Sequence, residues 1–228
     1  MLKRRTFLKH VCLASVSLSR AFPLQAAETN NSFSSQQFSV APPLRGDWLA
    51  AWEKHIMAET QHRYCDHEMG EELGWLMSPF LNGFYYGYLA TGEVKWVEQL
   101  VEWADSWIER GVKEPDGFIG WPKTGTGGAV EKELYTDSLL GEAMAFPPVV
   151  LIAGEILKRP ELKERFETKA EGYLNLASKT FEKWIARGCW RDIREGGVWV
   201  VPEFGVDQKT GKWTEGYSNR NINGFTGQ

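Results

Sequence analysis

Cysteine is scarce in this 228-residue chain, with three residues: Cys12, Cys65 and Cys189. That number excludes the multi-bridge scaffold of a small secreted domain. Histidine is nearly as rare: beyond the first twenty residues only His55, His62 and His67 occur, within one short stretch. The chain has no Gly-x-Ser-x-Gly elbow, no phosphate-binding loop and no dinucleotide fingerprint. Its charge does not lean to the basic side. A net charge of -4 and a pI near 5.7 leave no basic footprint, so nucleic acid is not an expected partner. Beyond the N-terminus no apolar run is uniform and long enough to suggest a stable membrane span.

The N-terminus carries a signal. Arg4-Arg5-Thr6-Phe7-Leu8-Lys9 resembles the twin-arginine export signal of bacteria. A weakly apolar run, Val11 to Leu18, follows, and small residues at Ala26 and Ala27 suit processing. The resemblance implies that the twin-arginine export machinery is a partner and that the protein folds before export. It would then work in the periplasm or outside the cell. Cys12 falls inside this leader, so the mature chain can form at most one bridge, Cys65 to Cys189. Residues 28–46 are rich in Ser, Asn, Gln and Pro and read as a linker.

From residue 47 onward the pattern is helical. Asp47 is a good N-cap, and Trp48, Leu49, Trp52 and Ile56 recur at helical spacing to about residue 61. Residues 73–90 are apolar almost all round, as expected of a helix buried on every side. Thr91-Gly92 punctuates, and residues 93–110 form an amphipathic helix with one wet face. The order then repeats. Residues 135–158 are again apolar, with Pro147-Pro148 expected to kink or break the helix, and residues 161–187 are again amphipathic. The outer helices end alike, in Trp107-Ile108-Glu109-Arg110-Gly111 and Trp184-Ile185-Ala186-Arg187-Gly188, an offset of 184 − 107 = 77 residues. Both glycines stand where a left-handed C-cap is expected. Residues 197–201 and 212–214 read as short strands about a Lys209-Thr210-Gly211 turn.

A buried inner helix, a Thr-Gly-Glu turn and a Trp-rich outer helix resemble one hairpin of the six-hairpin alpha/alpha toroid superfamily. Phe80-Leu81-Asn82, Ala90-Thr91-Gly92-Glu93 and Trp103-Ala104-Asp105 carry most of the likeness, which spans residues 47–188. That superfamily includes glycosidases, polysaccharide lyases and sugar epimerases. The expected fold class is therefore all-α: an incomplete toroid over residues 47–228, with a β-hairpin-like region near its C-terminus. Six hairpins of this length need about 460 residues, so the chain is expected to be an N-terminal part of such a fold. The resemblance implies a carbohydrate substrate and no cofactor. The chain is expected to degrade an acidic polysaccharide, by elimination or hydrolysis. A non-catalytic glycan- or protein-binding array and a truncated inactive copy are the alternatives.

Antiparallel hairpins would gather three long connections, residues 62–72, 111–134 and 188–228, at one end, where function usually lives. The first holds the densest titratable cluster. His62, Tyr64 and His67 suit proton abstraction and leaving-group protonation. A carboxylate pair from Asp66, Glu68 and Asp137 suits glycoside hydrolysis. His62, Cys65 and His67 match no common zinc spacing, so no metal is expected. Glu71 and Glu72 suit the first turn of the following helix, where acids favour its dipole. In the second connection Trp121 is a candidate to stack on sugar, Lys123 to pair with a substrate carboxylate, and Tyr135 to line the site. Arg191, Arg194 and Arg220 are candidate grips for a carboxylate or sulfate.

Overall fold

The computed structural model describes residues 45–124, 134–194, 196–200, 202–207 and 209–217. The leader, most of the linker, the glycine run at 125–128 and Arg220 lie outside the described residues. The described part is mostly helical, with a few short antiparallel strands. Its elements are α1 (Arg45–Glu59), α2 (Ser78–Thr91), α3 (Val94–Glu109), α4 (Leu139–Lys158) and α5 (Pro160–Ala186), with β1 (Val112–Lys113), β2 (Ile119–Gly120), β3 (Lys123–Thr124), β4 (Leu134–Thr136), β5 (Trp190–Ile193), β6 (Gly196–Trp199), β7 (Pro202–Asp207) and β8 (Trp213–Tyr217).

Two helical hairpins form the body. In the first, α2 packs on α3; in the second, α4 packs on α5, and α4 also lies against α2 and α3. The amphipathic stripe of α3 buries Trp96, Val97, Leu100, Val101, Trp103, Ala104 and Trp107. These meet Leu81, Phe84 and Tyr88 of α2 and Ala145, Phe146, Val149, Ile152 and Ala153 of α4 in the main core. Gly87 is one position where the fold needs glycine. A Cβ there would come within 2.8 Å of the Trp52 ring and 2.7 Å of the Trp96 ring, so a methyl group would force α1 off the hairpin.

The turns explain the helix boundaries. Gly92 is left-handed at φ 71° and returns its N–H to the Tyr88 carbonyl, closing α2. Pro160 opens α5, where its missing N–H costs nothing. The Ser138 hydroxyl accepts the Gly141 N–H at 3.2 Å and caps α4. That cap moves the helix start to Leu139 and leaves Tyr135 in β4, not in a helix as the sequence suggested.

Other expectations need correction. Asp47 lies inside the first turn of α1 instead of capping it. The apolar run at 73–90 is two pieces, a π-helical turn (Leu73–Met77) followed by α2. Pro147 and Pro148 do not break α4, which runs through them. Buried neighbours on both sides of the pair, Phe146 and Val149, hold the helix while two backbone donors are missing. Of the paired glycines, Gly188 is left-handed at φ 73° and Gly111 is not. Gly111 is needed for close approach: a Cβ would meet the Ile108 carbonyl and the Trp121 ring, each at 3.1 Å.

The β content exceeds the expected hairpin. β7 pairs with β8 around the Lys209–Gly211 turn, whose amides at Lys209 and Thr210 are held by Asp207 at 2.9 and 2.8 Å. The four-stranded order is β3-β4-β7-β8, which ties residues 123–136 to the C-terminal strands. β6 instead pairs with β5, bringing Trp190 opposite Trp199. Cys65 and Cys189 are both buried and free, the first in the main core and the second in a smaller cluster with Leu139 and Trp184. They form no bridge. Burial pushes both thiols up to about 12, which keeps them protonated and inert. Helix α4 is 20 residues long and apolar enough to cross a membrane by composition, yet more than half of it is buried inside the protein.

Candidate functional site

The three long connections meet at one end of the hairpins. The Gly70 N–H donates to the Trp121 carbonyl at 2.6 Å, joining the first to the second. Leu134 pairs with Asp207, joining the second to the third. Two charged clusters occupy this end, one open and one sealed.

The open cluster begins at Arg63, the one non-glycine residue with positive φ (49°) among the described residues. It joins two 3-10 turns, Thr60–His62 and Tyr64–Asp66. Its guanidinium grips both Asp66 oxygens, at 2.8 and 3.0 Å, and also Glu102. The Ser106 hydroxyl donates to Asp66 at 2.5 Å. The Arg63 bond, with Ser106 second, holds the Asp66 carboxyl well below the usual range. Arg110 donates to the carbonyls of Cys65 at 3.1 Å and Glu68 at 2.6 Å, fixing the loop from behind. Tyr64 packs its ring against Phe80, His62 and His67.

On this frame sit His67, Glu68, Glu72 and Lys123. His67 Nε2 lies 3.0 Å from the His62 carbonyl, which can only accept, so Nε2 carries a hydrogen. His67 Nδ1 lies 2.9 Å from Glu68 Oε1. A hydrogen bond there requires a second proton, held between imidazole and carboxylate. The Lys123 ammonium reaches Glu68 at 3.1 Å and Glu72 at 3.2 Å. Burial pulls the Lys123 ammonium down, and its two carboxylate partners outweigh this and raise it. The result is a half-exposed imidazole–carboxylate pair beside a cation that a ligand carboxylate could take over.

The sealed cluster lies below. Asp137, 1% exposed, accepts Lys183 at 2.5 Å and Arg187 at 3.0 Å. It also accepts the backbone N–H groups of Trp121 at 3.2 Å and Ser138 at 3.0 Å. Lys183 bonds Glu142 at 2.5 Å and the Ile119 carbonyl at 2.9 Å. Arg187 bonds Glu114 at 2.5 Å and Asp116 at 2.7 Å. The Trp184 indole N–H closes the second Glu142 oxygen at 2.6 Å. Gly120 also leaves no room for a side chain: a Cβ would meet Asp137 Oδ2 and the Glu114 carboxyl carbon, each at 2.6 Å.

Three buried acids face two buried bases, so one negative charge is in excess unless a proton stays. Burial, then the neighbouring Asp137, pushes Glu114 up to about 8 and raises Glu142 well above its usual value. Burial pushes Asp137 the same way, but Lys183 and further partners outweigh it and hold Asp137 ionised. Asp137 therefore carries a charge, and the proton that balances the cluster stays on the side of Glu114 and Glu142.

The expected site residues thus separate. Tyr64, His67, Glu68 and Lys123 come together in the open cluster, while Asp66 is engaged by Arg63. His62 is exposed beside them, 3.5 Å from Glu59. Tyr135 is half-buried on β4, while Arg191 and Arg194 are exposed on β5 and the turn after it. Asp137 is sealed in the second cluster. Trp121 is wholly buried: its ring packs on Trp107 and Phe146 and its indole N–H bonds the Trp107 carbonyl, so no face is open to a sugar. Sequence reading missed Glu114, Glu142, Lys183 and Arg187. One signal was available: Thr180, Lys183, Trp184 and Arg187 recur at helical spacing on the buried stripe of α5, where lysine and arginine need buried partners. Among the described residues no three His, Cys, Asp or Glu are grouped to hold a metal.

No protein-family model matches the chain, nor does any curated protein or solved structure.

Proposed function

We propose that the chain belongs to an exported carbohydrate-active enzyme that degrades an acidic polysaccharide or its oligosaccharides. In this reading its two hairpins are part of an alpha/alpha toroid. The observation that carries the reading is the open cluster: a His67–Glu68 pair 2.9 Å apart, with Lys123 3.1 Å from the same glutamate. Elimination from a uronic acid needs a cation to neutralise the carboxylate, a base for the adjacent carbon-bound proton and an acid for the leaving oxygen. Lys123 would take the substrate carboxylate, released from Glu68 and Glu72. Glu68, released from Lys123, would take the carbon-bound proton, His67 would give one to the leaving oxygen, and Tyr64, packed against His67, would orient the ring. Arg191 and Arg194 would extend the anion contacts along the loop end. Asp66 and Asp137 are already committed to cationic partners and take no part.

The test is turnover of uronic-acid polysaccharides by the full-length protein. Elimination gives a product absorbing in the ultraviolet; hydrolysis gives reducing ends without it. His67→Ala and Glu68→Gln should each lower kcat about 10²–10⁴-fold with the fold intact by circular dichroism. Binding without turnover would favour the non-catalytic array, and neither binding nor turnover would end the reading.

A further inference from the structure

Lys123 sits on a segment with little structure of its own. Residues 119–124 hold two strands of two residues each, β2 and β3, joined by Trp121 and Pro122. Strands this short do not hold themselves in place. The position of the Lys123 ammonium is set by whatever binds the backbone around it.

Those contacts lead into the sealed cluster. The Lys183 ammonium donates to the Ile119 carbonyl at 2.9 Å and to Asp137 Oδ2 at 2.5 Å. Asp137 Oδ1 accepts the Trp121 N–H at 3.2 Å. The Trp121 carbonyl accepts the Gly70 N–H at 2.6 Å. Gly70 lies midway in sequence between Glu68 and Glu72, the two carboxylates that Lys123 bridges. Across the ladder Lys123 pairs with Thr136, whose hydroxyl donates to the Lys123 carbonyl at 3.4 Å. Thr136 is wholly buried and directly precedes Asp137. The chain before Lys123, the strand beside it and the loop that carries its partners are thus all tied to one buried ion pair. The Trp121 ring packs on Trp107 and Phe146. That fixes the ring, whereas the peptide groups on either side are set by their hydrogen bonds. Those made to a charged group are the stronger ones.

We propose that the Lys183–Asp137 ion pair positions Lys123, holding its ammonium between Glu68 and Glu72 through the Ile119 carbonyl and the Trp121 N–H. Lys183 and Asp137 are sealed from solvent and meet no ligand. They are positioning residues, and Lys123 is the group they place. The positioning is a property of the fold. Its consequence, a set place for a substrate carboxylate, rests on the carbohydrate reading given above.

The test reads Lys123 directly in the full-length protein. Its acetylation rate by acetic anhydride at neutral pH is followed by peptide mass spectrometry, relative to the exposed Lys158. Against the pull of burial, Glu68 and Glu72 raise the Lys123 ammonium, so it keeps its proton and reacts slowly. Lys183→Met should raise the relative rate at Lys123 about tenfold. Where that chain does not fold, the isosteric Asp137→Asn takes its place with the same expectation. Ile152→Ala, a truncation in the main core that touches neither cluster, is the control for lost stability and should leave the rate near wild type. An unchanged rate in the cluster variant, or an equal rise in Ile152→Ala, overturns the proposal. A second measurement is the Kd for trigalacturonate. The cluster variant should raise it about tenfold, and that rise should vanish in a Lys123→Ala background, since the effect passes through Lys123. Full additivity of the two substitutions overturns the proposal. No binding of trigalacturonate by the wild type counts against the carbohydrate reading, and the labelling then decides the positioning alone.

Discussion

The two charged clusters at the loop end use the same side chains to different ends. In the open one, Lys123 bridges Glu68 and Glu72 while 38% exposed; in the sealed one, Lys183 bridges Asp137 and Glu142 with no exposure. Water screens the first, so its pairs contribute little to stability and can be exchanged for a ligand. The second is buried from solvent, so every charge depends on its partner and losing one leaves another unpaired. The sealed cluster is a latch, and the open one is an exchangeable surface network. The latch ties the end of α5 to the connection after α3 and to the start of α4.

Lys183→Met should break the contrast most. It strands the excess acid and should cost about 3–5 kcal/mol. At about 2–4 °C per kcal/mol for a domain of this size, that lowers Tm by about 10 °C. Chemical denaturation monitored by circular dichroism measures it, and a loss below about 1 kcal/mol would mean the sealed charges are not a latch.

The next effect is on pH. Glu114 keeps its proton to about pH 8 when folded but releases it near 4.5 when unfolded. The native state therefore binds more protons in that interval, and stability falls as pH rises from about 4.5 through 8. The slope is at most about 1.4 kcal/mol per pH unit. Asp137 has the opposite sign: its contribution is present above its ordinary value of 3.8 and is lost as pH falls below it. Glu114→Gln should flatten the fall of Tm between about pH 4.5 and 8 and leave the fall below pH 3.8 in place. An unchanged slope in that window would assign the proton elsewhere.

Lys123→Ala should change stability by less than about 1 kcal/mol. Its expected effect is on ligand: a rise of about tenfold or more in the KM for a uronic-acid substrate, because a charge-assisted bond is lost. Equal KM in the two proteins would remove Lys123 from the site. The smallest effect belongs to His62→Ala. That ring is exposed, and beyond its contact with the Tyr64 ring the open cluster engages only its carbonyl. Thermal melts and turnover should both stay near wild type.

Much of the helical order was legible in the sequence. The apolar-all-round stretches became α2 and α4, the one-sided stretches became α3 and α5, and Gly92 and Gly188 stop their helices as left-handed caps. Grouping of the long connections at one end also followed from antiparallel hairpins. The misses have physical causes. Pro147-Pro148 lies within α4 because core packing on both sides overrides a local preference. The π-turn before α2 and the strands at 112–136 form only because other segments lie against them. Trp121 looked like a surface platform because its loop is polar and glycine-rich, yet Trp107 and Phe146 enclose it.

Where helices stop and which face they turn to the core was legible locally, since spacing and C-terminal caps act over a few residues. The sequence by itself also brought Tyr64, His67 and Glu68 together, because they are neighbours in one loop. Only the tertiary structure decided which acids share a proton. Arg187 and Glu114 are 73 residues apart and Lys183 and Asp137 46. Their ionisation is set by burial and by each other, conditions that exist only once the helices have packed.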